Sequence, residues 1–183
     1  MAAQEPVHTP DTDTPLWRFS LTLWQRQEAS ELCLELQQQG WSVTRLLCAG
    51  WLASTGCKYS GHEPDDLRQW RGTVTESVRS LKKSLDKSDN LLTPLRQALA
   101  KAELEAERVE LYRAWQALRD TAVASPTADT TRLAEQNLRM AAPDTNGSLN
   151  AKTEPMIRHL AQLINQISSP ACSGCHPDGH PAP

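Results

Sequence analysis

From Leu16 to Ile167 apolar residues recur at intervals of three and four, and no long stretch alternates apolar with polar residues. Spacings of three and four put side chains on one face of a helix, whereas a half-buried strand needs a period of two. The pattern therefore predicts an all-α chain. The expected form is a compact bundle of about five to seven helices with a long antiparallel helical hairpin and disordered termini.

Punctuation residues divide the pattern. Pro15 opens a helix over residues 16–25, and a second covers 28–39, with Leu32, Cys33 and Leu36 on one face and Gly40 as its stop. Ser42 is placed to cap a third helix, 43–54, which ends at Gly56. This third helix is apolar nearly all round, as a buried central helix is. After a loop at 57–63, Pro64 with Asp65 and Asp66 starts a fourth helix running to about residue 87. Pro94 starts a fifth, reaching about residue 120, with two offset apolar stripes that call for neighbours on two sides. Weaker helices follow at 130–142 and 154–168. The expected organisation is an N-terminal tail at 1–14, a helical domain at 15–142, a loop and C-terminal helix at 143–168, and a flexible Cys/His/Pro tail at 169–183.

Seven of the nine aromatic residues lie between Trp17 and Trp70. Large rings supply much of a small core's buried area, so Trp17, Leu47, Trp51 and Trp70 are the expected core. A formal charge of −3 argues against general nucleic-acid binding. No apolar run is long enough to span a bilayer, and the first residues are polar, so the expectation is a cytoplasmic protein without a membrane partner. Five cysteines, an odd number, with two inside apolar helical patterns, do not make a disulfide framework.

Charge is segregated along the two longest helices. Residues 68–101 carry eight basic and three acidic side chains; residues 102–120 carry five acidic and three basic. Antiparallel neighbours would bring Arg71 or Arg79 to one of Glu103, Glu107 and Glu110, an interhelical charge network with Arg71, Arg79, Glu103 and Glu107 as its candidates. Read as metal ligands, those glutamates lack the Glu-x-x-His pairs of a bundle metal site.

A family resemblance emerges from several blocks taken together. They are Leu16-Trp17-Arg18-Phe19 with Leu23, Cys33-Leu34-Glu35-Leu36-Gln37, Leu46-Leu47 with Trp51-Leu52-Ala53, Trp70-Arg71 with Val78-Arg79, and 102–108 (AELEAER). In combination they resemble a proteobacterial family of small cytoplasmic proteins catalogued as domain of unknown function 2390. The resemblance covers roughly residues 15–142. It implies an all-helical bacterial protein with no assigned activity.

Chemistry-bearing motifs are few. Cys172-Ser-Gly-Cys175-His176 has the spacing of c-type haem attachment, but no apolar sequence surrounds it to hold a macrocycle. With His180 the same residues would suit tetrahedral zinc. His62 beside Glu63 is the one titratable pair near the aromatic cluster. No phosphate loop, nucleophile elbow or zinc-protease motif is present, so no catalytic residue is assigned and no cofactor is expected beyond zinc at the tail. The leading expectation is an uncharacterised protein that acts on an unknown protein partner. The alternatives are a small-molecule-binding or catalytic helical domain, with a pocket among Trp17, Trp24, Trp51 and Trp70, and a zinc-binding tail.

Overall fold

The computed structural model describes residues 11–125, 129–143 and 149–168. Over these residues the chain is all-α apart from one two-residue strand pair. The helices are α1 (Pro15–Trp24), α2 (Gln27–Gln38), α3 (Val43–Ser54), α4 (Asp65–Trp70), α5 (Glu76–Ser84), α6 (Thr93–Arg119), α7 (Thr130–Met140) and α8 (Thr153–Ser168). A single π turn, Arg71–Thr75, joins α4 to α5, and a 3-10 turn, Asn90–Leu92, precedes α6.

The expected boundaries at Gly40, Ser42 and Gly56 have direct causes. Gly40 and Gly56 adopt φ of 88° and 74°, in the left-handed region that a Cβ disfavours. The Ser42 hydroxyl accepts the Arg45 amide at 3.3 Å, satisfying an otherwise unpaired donor of the first turn of α3. Thr14 does the same for α1 by accepting the Trp17 amide at 3.1 Å, and it is buried. Thr14, the last residue of the expected N-terminal tail, is thus the N-cap of α1.

Helix α3 lies at the centre, against α1, α2, α6, α7 and α8. Its inner side, Leu46, Ala49, Leu52 and Ala53, is almost fully enclosed. The stripe of Val43, Leu47 and Trp51 runs along the edge of the helix, and only Leu47 of the three is buried. This corrects the expected core. Trp17 and Trp51 are half-buried and pack against the core's margin; Trp70 is half-buried on the hairpin. The enclosed volume is filled instead by Leu16, Leu23, Leu36, Leu133, Leu138, Ile157, Leu160 and Ile164. The last five come from α7 and α8, so α8 completes the core.

The fourth sequence-read helix, 64–87, is interrupted by the π turn and ends at Ser84. Together with α6 it forms the hairpin. The pairing is antiparallel: the Trp70 indole donates to the Ala106 carbonyl, and Arg79 reaches back to Glu103. Cys57–Lys58 pairs antiparallel with Val123–Ala124, in a segment read from sequence as linker. Buried Asn137 on α7 ties this corner down. Its carbonyl oxygen accepts the Tyr59 amide at 2.9 Å, and its Nδ2 donates to the carbonyls of Ala49 at 3.2 Å and Cys57 at 2.9 Å.

Candidate binding cleft

A cleft of about 470 Å³ opens between α1, the α2–α3 loop, α3, and the hairpin. Its apolar wall is built from Trp17 and Trp24 of α1, Trp41 of the loop and Leu47 of α3, with Leu111 of α6. Four apolar side chains along it are exposed: Leu21 at 46%, Trp24 at 40%, Leu34 at 45% and Leu104 at 51%.

The opposite wall is charged. Arg71, at the start of the π turn, bridges two carboxylates. Its Nε donates to Glu110 Oε1 at 2.7 Å, and its Nη1 donates to Glu63 Oε2 at 2.9 Å, with Nη2 on Glu63 Oε1. The Thr75 hydroxyl, at the end of the same turn, donates to Glu110 Oε2 at 2.9 Å. Glu110 is therefore fully used and fully enclosed, with 1% of its side chain exposed. The π turn places Arg71 and Thr75 on one carboxylate. One turn of wider helix displaces the following residues relative to a regular helix, and such turns recur at functional sites.

A second cluster lies further along the hairpin. Arg79 Nε donates to Glu103 Oε1 at 2.9 Å and its Nη2 to Glu107 Oε1 at 2.7 Å, while Lys82 holds the other Glu103 oxygen. Burial pushes the Glu103 carboxyl up, but Lys82 and Arg79 outweigh it and hold the group below its ordinary value. Glu107, with one partner, comes out the other way. Burial dominates over Arg79, neighbouring Glu103 and Glu110 add to it, and its carboxyl is raised. The two clusters together hold three positive groups (Arg71, Arg79, Lys82) and four negative ones (Glu63, Glu103, Glu107, Glu110), a surplus of one negative charge.

The four sequence-read charge residues Arg71, Arg79, Glu103 and Glu107 thus sit in one wall. Glu110, the third glutamate expected near Arg71 or Arg79, joins them on Arg71, and Lys82 holds Glu103. Glu63 and Thr75 were not expected there. Glu63 was read as half of a His62–Glu63 pair, but its carboxylate is taken by Arg71 while His62 is exposed. Glu110 and Thr75 sit on the hairpin's inner face; the available signal for Thr75 was its place between Arg71 and Arg79 at helical spacing, opposite the glutamates. The pocket expected among Trp17, Trp24, Trp51 and Trp70 is corrected: Trp17 and Trp24 line the cleft, Trp41 joins them, and Trp51 and Trp70 do not. Trp51 lies one turn beyond Leu47 towards the C-terminal end of α3. Trp70 is engaged elsewhere, with its indole on Ala106 and the Arg113 guanidinium 4.2 Å from its ring centre.

A smaller cavity of about 250 Å³ reaches Cys48, Tyr59, His62 and Leu67. Burial pushes the Cys48 thiol far up, which keeps it from forming the thiolate that a nucleophile needs. Cys33 is likewise pushed up to about 12 by burial. Among the described residues no group of three or more His, Cys, Asp or Glu side chains could hold a metal. Cys172, Cys175, His176 and His180 lie outside the described residues. No helix among the described residues is long and apolar enough to cross a membrane.

Fold and site define a class: an all-helical domain with an amphipathic, charge-walled cleft beside its central helix. The chain belongs to the family described as Protein of unknown function (DUF2390), which matches residues 15–114. Every side chain lining the cleft falls within that span, whereas α7 and α8 lie beyond it. No curated protein and no solved structure matches the chain.

Proposed function

We propose that this protein is a binding protein that takes a small organic ligand with an apolar body into the cleft. The observation that carries the reading is the convergence of three tryptophans and the charge network on one cavity of about 470 Å³. Ligand sites are concave and mostly apolar, with a few placed polar groups, and span roughly 300–1,000 Å³. The charged side chains are held by one another, which favours recognition over proton transfer or nucleophilic attack. The thiols of Cys33, Cys48 and Cys57 are free, which supports a reducing, cytoplasmic setting.

A thermal-shift screen of chemically diverse small molecules tests the reading, run on the wild-type chain and on Ser80→Trp. Ser80 is an exposed residue lining the cleft, so an indole there fills the mouth without entering the core. The expected result is a set of stabilising compounds that Ser80→Trp no longer recognises. Compounds that act equally on both proteins, or a screen without stabilisers, would refute it.

The exposed cluster of Leu21, Trp24, Leu34 and Leu104 supports a second reading, docking of a protein partner over the cleft mouth. On that reading, Leu21→Asp with Leu104→Asp abolishes capture of the partner from the native host and leaves the melting temperature unchanged.

A further inference from the structure

We infer that the cleft selects an organic cation, an alkylammonium or related group on an apolar body, with its charge at Glu107 and its body against Trp24 and Trp41. The inference rests on the ligand-binding reading above and narrows it.

The first support is the hydrogen-bond capacity left over in the charged wall. All three donor nitrogens of Arg71 are engaged, and Glu110 and Glu103 each use both carboxylate oxygens. Glu107 differs. Its Oε1 accepts from Arg79, its side chain is 37% exposed, and it lines the cleft. Its second oxygen is open to a donor. A cation there would offset the one surplus negative charge of the wall. It would also relieve the cost of holding a partly buried carboxylate beside Glu103 and Glu110, the cause of Glu107's raised pKa.

The second support comes from the tryptophans. Arg108, Arg113 and Arg119 already sit over the rings of Trp17, Trp70 and Trp115, at 5.2, 4.2 and 5.2 Å from the ring centres. Trp24, 40% exposed, and Trp41, of which only 5% is exposed, line the cleft without such a cation among the described residues, so the open indole face is that of Trp24. An indole face attracts positive charge and accepts an apolar chain equally well. An anion would meet Arg71 already held by Glu63 and Glu110 and a lining that stays one charge negative with Lys83 and Glu76 counted, which leaves it Lys83 at the exposed rim.

Three probes that share one body decide the matter: 4-phenylbutylammonium, neutral 4-phenylbutanol and 5-phenylpentanoate. Each is titrated into the full chain while the six tryptophan indole N–H signals are followed by NMR. The expected result is that the ammonium probe binds at least about tenfold tighter than the other two and moves the Trp24 and Trp41 signals. In Glu107→Gln its affinity should fall about tenfold to the level of the alcohol, with alcohol binding unchanged. In Trp24→Ala all three probes should weaken, the ammonium probe most. Glu107→Gln keeps an acceptor for Arg79, and Trp24 is on the surface, so both variants retain the fold. Equal or tighter binding of the alcohol or the carboxylate at the same indoles would overturn the cation inference and leave the binding cleft standing. An ammonium preference that survives in Glu107→Gln would overturn the role of Glu107. If none of the probes moves a cleft indole, the cation inference fails, and the ligand-binding reading is decided by the wider screen against Ser80→Trp.

Discussion

Arg71 Nε and Glu110 Oε1 lie 2.7 Å apart across the hairpin, and Arg71 at once bridges Glu110 to Glu63. One guanidinium thus holds two nearly buried carboxylates, and its pKa is raised because Glu63 and Glu110 outweigh its desolvation. Removing it leaves two uncompensated negative groups in a low-dielectric site. Arg71→Ala should cost about 3–5 kcal/mol, the range for breaking a buried ion pair. Arg68→Ala, an exposed neighbour paired only with Asp65, should cost under about 1 kcal/mol. Urea unfolding midpoints of the two variants compare them directly.

Glu103 and Glu107, one helical turn apart, should respond to pH with opposite signs. The folded-state pKa of Glu103 is lowered from 4.5. Its stabilising contribution is therefore present at neutral pH and disappears as pH falls through that lowered value. Glu107 is raised from 4.5, so its ionised form opposes folding at neutral pH and the penalty fades in acid. Glu103→Gln should thus be less stable than wild type at neutral pH, with the gap closing on acidification. Glu107→Gln should be at least as stable at neutral pH, and that advantage should vanish below the ordinary carboxylate range. Denaturation curves at several values between about pH 3 and pH 7 display both trends.

Asn137 joins α7 to α3 and to the strand that follows it, through three hydrogen bonds made inside the core. Asn137→Ala strands the Tyr59 amide and removes a donor from two carbonyls. Each buried polar group left unpaired costs roughly 1–3 kcal/mol, so the variant should lose about 2–4 kcal/mol. Hydrogen exchange supplies the local check: the Tyr59 amide should lose its protection before the amides of α6 do.

The burial difference along α3 gives an order of mutational cost that ring size alone would reverse. Leu52 is 1% exposed, whereas Trp51 keeps part of its indole in solvent. Leu52→Ala should cost about 2–5 kcal/mol because the cavity it leaves is enclosed on all sides. Trp51→Ala should cost less, since solvent reaches the vacated space. Calorimetric melting of the two variants settles the order, and a larger loss for Trp51→Ala would refute it.

Local features were legible along the chain because their causes are local. Periodicity, Pro15, Ser42, Gly40 and Gly56 act within a turn or two of their own positions, and they locate α1, α2 and α3 closely. The complementary charge blocks also pointed to the hairpin, since antiparallel neighbours must bring residues near 71–79 against those near 103–110. Other features have long-range causes. An apolar stripe says that a helix face is covered but not by which neighbour, so the depth of Trp17, Trp51 and Trp70 depended on where α7 and α8 pack. The π turn at Arg71–Thr75 brings both of its end residues to Glu110, which is 35 residues from Thr75 in sequence. Asn137 reads as one polar residue in an apolar stripe; its role appears only where Ala49, Cys57 and Tyr59 converge on it. The cleft has the same origin. Trp24, Trp41 and Glu107 come from three separate segments, and only the packing of the hairpin against α1 and α3 makes them walls of one cavity.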